Sequence, residues 1–324
     1  MAGAHDDLVV SRRLLGAAIG ILADDLLGEP PLRPHPVSVF GAAMRAVEGR
    51  IYADRLACGV AHAGTGLTLG VVCGAVVRST AVATYLAVAG RALREAAGAV
   101  DDALSVGDTM GARQLLPALV GRDPAELDVK EVARAVVESV AENTVDGVVA
   151  PALWGALVGA PGALGYRAVN TLDAMVGHRS ERYERYGRAS ARADDVASWA
   201  PARVTAALVA VVRPRRAAAV WRTVRHDAGA HPSPNSGVAE AAFAAALDLR
   251  LGGTSRYDGR EELRPYLGDG RPPEPGDIAR ASRLSRHVAL ALGAVLASPV
   301  AAGLAVDVAR ACSSRPSPQA GGQR

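Results

Sequence analysis

Three stretches of this chain run for nineteen residues or more with no Asp, Glu, Lys or Arg. They are Ala57–Val77 (21 residues, with His62 inside), Gly147–Tyr166 (20) and Val288–Val306 (19). A fourth, Val196–Val212, is interrupted only by Arg203, and a shorter one, Leu14–Ala23, runs straight into Asp24 and Asp25. A helix needs about 20 apolar residues to cross a bilayer, and backbone in lipid must bond within its own segment, so such runs read as helices. The expectation is an all-α, multi-pass integral membrane protein. It has one membrane-embedded domain over 1–312, with a cytoplasmic loop region at 213–286. A disordered Ser/Pro/Gly/Gln tail occupies 313–324. The soluble alternative is a large bundle of buried Ala-rich helices, and a mean hydropathy of only +0.15 keeps it open. Glycine spacing favours the membrane: Gly66, Gly70 and Gly74 recur every fourth residue, and Gly155 and Gly159 repeat the interval. Small residues on one face let helices approach closely without lipid between them.

Composition narrows the function. Aromatics are only 4% of the residues, so small aliphatics must do most of the burying. Net charge is +3, Lys130 is the sole lysine, and no basic block interleaves with aromatics, which argues against nucleic acid. Cys58, Cys73 and Cys312 are odd in number and far apart, and are read as buried thiols. Asp128 and Glu131 have capping-box spacing ahead of the helical periodicity Val132, Ala133, Val136, Val137, Val140. No run of alternating strand residues stands out. The P-loop, HExxH and GxSxG signatures are absent.

The chemistry is confined to four polar islands. The first, ADDLLGEPPLRPHPV, carries Asp24, Asp25, Glu29 and His35 on a segment stiffened by four prolines. The second, ESVAENTVDG, sets Glu138, Glu142 and Asp146 at i, i+4 and i+8, where like charges repel unless a cation such as Mg²⁺ sits among them or water solvates the face. The third, NTLDAMVGHRSERYERYGRASARADDV, holds Asp173, Asp194, Asp195, Arg179, Arg182 and Arg192. Its Glu181/Arg185 and Glu184/Arg188 pairs explain some of that charge; guanidinium forks for phosphate beside a carboxylate pair would explain the rest. In the fourth, HPSPNSGVAEAAFAAAL, Ser233, Asn235 and Ser236 lie at the start of an Ala-rich helix, a place for capping or for an anion. LGGTSRYDG follows as a Gly-containing loop.

These four islands, in this order from Leu14 to about Tyr257, resemble the cobinamide-phosphate synthase family of cobalamin biosynthesis. Glu29 and Ala152-Leu153-Trp154 depart slightly from the pattern. The resemblance implies a multi-pass protein of the cell membrane. It also implies the reaction: (R)-1-amino-2-propanol O-phosphate, or aminopropanol, is joined to the f propionate of adenosylcobyric acid with consumption of ATP. Amide formation of this kind needs phosphate-binding cations, Mg²⁺ ligands, a base for the ammonium and an anion pocket. Chemistry then assigns Glu142, Asp146, Asp194 and Asp195 to the metal, with Glu142, Asp194 and Asp195 also counted as catalytic. Arg179, Arg182 and Arg192 are assigned to phosphates, Ser233, Asn235 and Ser236 to the aminopropanol phosphate, and His35 or Asp173 to the base. The cofactors so implied are ATP and Mg²⁺. Partners are the two small substrates and the lipid bilayer, with other corrinoid enzymes as further candidates. A membrane transporter or scaffold for anionic corrinoids is the alternative class.

One active site cannot use islands held on opposite faces of a hydrocarbon core about 30 Å thick. At least one of Gly147–Tyr166 and Val196–Val212 is therefore expected to be broken, re-entrant or packed inside the protein, with Pro151, Pro161 and Pro201 supplying the means. Thirteen arginines between Arg213 and Arg286 put that region, and the active site, on the cytoplasmic side.

Overall fold

The computed structural model describes residues 2–120, 126–178, 180–257 and 260–313. They form α1 (Ala2–Leu27), α2 (Pro36–Ile51), α3 (Leu56–Val77), α4 (Thr80–Ala87), α5 (Gly90–Ser105), α6 (Thr109–Leu115), α7 (Val129–Thr144), α8 (Ala150–Val158), α9 (Ala160–Leu172), α10 (Arg188–Val212), α11 (Ala217–Asp227), α12 (Ser236–Leu247), β1 (Leu251–Tyr257), β2 (Arg260–Leu267) and α13 (Gly276–Ser313). The tail expected to be disordered lies, from residue 314 on, outside the described residues.

The chain is nearly all helical, with one correction. Leu251–Tyr257 and Arg260–Leu267 pair as an antiparallel hairpin, where the sequence suggested only a loop. Gly252 and Gly253 sit at φ +83° and +91° and absorb an irregularity in the register. The buried ends Leu251 and Leu267 anchor the hairpin, so no alternating pattern was needed to hold it. The span 213–286 thus contains α11, α12, the hairpin and the start of α13. The cysteine expectation is corrected too: Cys73 is exposed and Cys58 half-buried, while the Cys312 side chain lies outside the described residues.

The core is centred on α7 and α12. Val132, Val136, Val137 and Val140 of α7 are fully buried. Its N-terminus is closed by the capping box, with Glu131 N–H donating to Asp128 Oδ1 and Asp128 N–H to Glu131 Oε2, both at 2.8 Å. α12 is buried from Gly237 to Leu247, Glu240 included. Helices α10 and α13 cover this pair, with Ala202, Ala206, Leu284 and Leu292 contributing to the same core.

Two described helices, α3 and α10, are long and apolar enough to cross a membrane. Only 22% of the α3 apolar window is buried, and it turns Val60, Leu67, Val72 and Val76 outward. Leu15, Ile19, Leu22 and Leu26 do the same on α1. The inward face of α3 is the glycine stripe. A Cβ on Gly70 would lie 2.7 Å from the Ala168 Cβ and from the Leu164 carbonyl of α9, and one on Gly66 would lie 2.5 Å from Leu172 Cδ1. The four-residue interval therefore sets how closely α3 and α9 pack.

The third apolar stretch is broken, as the topology argument required. Pro151 has no N–H to give to Gly147, whose carbonyl instead accepts the Ala89 N–H at 2.9 Å. Around it Val145–Val149 opens into a π-turn. Farther on, Gly159 at φ +81° ends α8 and starts α9. No single straight span exists between Gly147 and Tyr166.

Candidate active site

The break lets carboxylates from separate islands converge. Asp146 enters from the π-turn, Tyr166 and Asn170 from α9, and Asp194 and Ser198 from the first turns of α10. The Tyr166 hydroxyl donates to Asp146 Oδ1 (3.2 Å) and lies 2.9 Å from Ser198 Oγ. Ser198 Oγ is in turn 3.4 Å from Asp194 Oδ2 and 3.5 Å from Asp146 Oδ1. Asn170 Nδ2 donates to Asp194 Oδ1 at 3.2 Å. Hydroxyls and an amide thus hold two carboxylates that would otherwise repel.

Asp173 and Asp195 flank this pair. Burial, then repulsion from Asp194 and Asp195, raises the Asp173 carboxyl to about 7. Burial, followed by Asp194 and Glu142, pushes Asp146 well above the usual carboxylate range. An acid whose folded pKa exceeds its unfolded value binds more protons folded than unfolded, so stability falls as pH rises between the two values. For Asp173 that window runs from 3.8 to about 7. In protein free of metal and nucleotide, thermal stability is expected to decline across that window, and the decline should be shallower in Asp173→Asn. Equal slopes in the two proteins would dismiss the effect.

The fourth island joins through Asn235. Its Nδ2 donates to the Asp195 carbonyl (2.8 Å), and its Oδ1 accepts from Arg203 (3.0 Å), whose guanidinium stacks on Trp199. Ser233 Oγ accepts from the Asn235 and Ser236 N–H groups at 3.3 and 3.1 Å, so here it folds the turn that leads into α12.

The second island is divided. Asp146 faces Tyr166 and Ser198, whereas Glu142 lies with His231 and Glu240, one ligand atom of each falling within 4.8 Å of the others. Of the four carboxylates expected around one metal, Glu142 thus stands with His231 and Glu240 while still within Coulomb reach of Asp146, which lies past it on the π-turn Val145–Val149.

Arg179 lies outside the described residues. Arg182 pairs with buried Glu48 at 2.9 Å and stacks on Tyr52 and Tyr183, pinning the 181–187 turns to α2. Arg192 is exposed. His35 caps α2, its Nδ1 accepting the Val37 N–H at 3.3 Å. Asp24 and Asp25 of the first island act as anchors. Asp24 Oδ2 accepts the Arg91 N–H (3.0 Å), and Asp25 binds Arg94 (2.7 Å) and Arg286 (2.9 Å), locking α1 to α5 and α13.

Sequence reasoning passed over Tyr166, Arg167, Asn170, Ser198, His231 and Glu240. A usable signal existed for Glu240, the one charged residue in the twelve-residue α12. Arg167 has a buried Nε without a bonded partner and lies within Coulomb reach of Asp146 and Glu29.

Fold and site together define a helical protein with, among the described residues, two helices of membrane-crossing length and a carboxylate cluster assembled where an apolar segment breaks. The family model described as "CobD/Cbib protein" matches residues 17–285. The chain is 47% identical over 294 residues to the "Cobalamin biosynthesis protein CobD" of Mycobacterium tuberculosis, covering 85% of this chain and 92% of that one. It is 42% identical over 272 residues to the protein of that name from Geobacter metallireducens (78% and 86% covered) and 39% over 305 residues to that from Klebsiella pneumoniae (86% and 96%). No solved structure matches. The chain belongs to the CobD/CbiB family, and its role lies in cobalamin biosynthesis.

Proposed function

We propose that this protein is an ATP-dependent amide ligase of the cell membrane that joins (R)-1-amino-2-propanol O-phosphate to the f propionate of adenosylcobyric acid. The observation that carries the reading is the meeting of three islands in one hydrogen-bonded cluster: Asp146 from the second, Tyr166, Asn170, Asp194 and Ser198 from and beside the third, and Asn235 from the fourth, through the Asp195 carbonyl at 2.8 Å.

A carboxylate does not condense with an amine unaided, because oxide would have to leave. Phosphoryl transfer from ATP gives an acyl phosphate and ADP; the amine then attacks, phosphate leaves, and a base takes the ammonium proton. Asp146, Asp194 and Asp195 offer the hard oxygen donors that Mg²⁺ prefers, and their crowding fits a cation. Bound there with ATP, Mg²⁺ would neutralise phosphate charge. Asp173, raised to about 7, is suited to accept the ammonium proton near neutrality. Tyr166 and Ser198 keep the carboxylates oriented. The Asn235–Arg203 pair at the N-terminus of α12 offers donors for the phosphorylated alcohol.

Arg167 takes the part of phosphate cation that Arg182, committed to Glu48, does not fill. Arg167→Met is expected to raise KM for Mg-ATP roughly 10- to 100-fold, the range for a lost charge-assisted contact. An unchanged KM would remove Arg167 from the nucleotide site. The outward apolar faces of α1 and α3 support a bilayer location, and the arginines between Arg213 and Arg286 support cytoplasmic exposure of the pocket.

The test is direct. Purified protein given adenosylcobyric acid, aminopropanol phosphate and Mg-ATP should yield a cobinamide product with one ADP per amide. Corrinoid transport across proteoliposomes with ATP untouched would instead favour the transporter.

A further inference from the structure

Helix α12 is apolar except for Glu240, and that carboxylate is only 1% exposed. It faces His231, itself 8% exposed, which lies on the turn just before the helix. His231 Nε2 stands 3.4 Å from Glu240 Oε1, an ion pair when the imidazole is protonated, yet neither atom has a hydrogen-bond partner. Glu142 of α7 completes the group, one ligand atom of each residue lying within 4.8 Å of the others. Buried polar atoms are normally satisfied, so two unpartnered ones converging with a carboxylate call for an occupant.

We infer that Glu142, His231 and Glu240 form a binding site for one divalent transition-metal ion, beside the Asp146–Asp194 cluster, with Glu142 within Coulomb reach of Asp146, and independent of the ligase reading. Two donors each about 2.1 Å from a shared ion, at the tetrahedral angle, lie about 3.4 Å apart. The observed Nε2–Oε1 spacing matches. The far side of the imidazole is prepared as well: Nδ1 is 3.2 Å from the Ser233 carbonyl, and a proton on Nδ1 donated there leaves the Nε2 lone pair free for a metal. The Ser233 N–H also donates to Nδ1, at 3.1 Å, an arrangement that puts the proton of a neutral imidazole on Nε2, so binding a metal there requires the ring to change tautomer. Glu138, which accepts the Gly252 N–H at 2.9 Å, adds negative charge nearby, partly offset by Arg134 and Arg264. One imidazole with two carboxylates suits Zn²⁺, Mn²⁺, Fe²⁺ or Co²⁺ better than Mg²⁺, which seeks oxygen and retained water. The ion ties α7 to the turn carrying Ser233 and Asn235.

The competing occupant is a proton shared between Glu240 and Glu142. Tag-free protein purified in detergent without chelator, analysed by elemental mass spectrometry, distinguishes them. Wild type and Asp194→Asn should each retain about one transition-metal equivalent, and His231→Gln and Glu240→Gln should hold at least about 10-fold less. EDTA should lower the wild-type Tm, and added Zn²⁺ should restore it; that measurement stands even if the variants fail to fold. A metal-free wild type whose Tm ignores both EDTA and Zn²⁺, or full metal content in a folded Glu240→Gln protein, overturns the site.

Discussion

Asp194→Asn is expected to lower amide formation by roughly a thousandfold or more, the scale seen when a preorganised charge or metal ligand is removed from a reacting centre. The same change should leave the protein as stable as before, or more so. Asp194 accepts from Asn170 on Oδ1 and from Ser198 on Oδ2; an isosteric amide keeps the first bond through its oxygen and can donate from its NH2 to the Ser198 hydroxyl. It also removes one negative charge from a group that includes Asp146, Asp173 and Asp195. Carboxylates gathered for function repel in the resting protein, so removing one relieves strain. The two readouts must move apart: turnover collapses while Tm holds or rises. Near-normal turnover would remove Asp194 from the chemistry. A large fall in Tm that accounts for the lost activity would make its role structural.

Gly70→Leu is expected to abolish accumulation of folded protein. The first added carbon would stand 2.7 Å from both the Ala168 Cβ and the Leu164 carbonyl, and the latter is backbone that cannot swing away. Overpacking of this kind costs about 1–3 kcal/mol where neighbours can yield and more where they cannot, against a total stability of about 5–15 kcal/mol. The α3–α9 contact also positions Tyr166 and Asn170, so any folded remnant should lose activity. Gly64 is the control. It lies on the same helix with nothing within 4 Å of an added Cβ, so Gly64→Leu should elute from size exclusion in detergent like the parent. Matching profiles for both variants would show that the stripe is not a packing face.

The glycine interval and the capping box were legible because each follows from local geometry: a four-residue spacing defines a helix face, and Asp128 and Glu131 need only each other and three intervening bonds. The break in Gly147–Tyr166 was legible as a necessity, since the islands on either side had to meet, but its form was not. It depended on the Gly147 carbonyl finding the Ala89 N–H, 58 positions away. The hairpin at 251–267 escaped notice because its strands are held by backbone pairing and two buried ends. The regular spacing of Glu138, Glu142 and Asp146 misled for a related reason: a π-turn, invisible in composition, intervenes where the third carboxylate belongs.

The sequence by itself determined the long apolar segments, the glycine face of α3, the capped start of α7 and the four islands that tie the chain to its family, because periodicity, spacing and motif order are local properties. Only the tertiary structure decided which charged groups share a pocket. It sent Arg182 to Glu48, Asp25 to Arg286, Glu142 to His231 and Glu240, and Asp146 to Tyr166 and Ser198. The physical reason is that a buried charge must find a partner, and which partner is within reach depends on how distant segments pack.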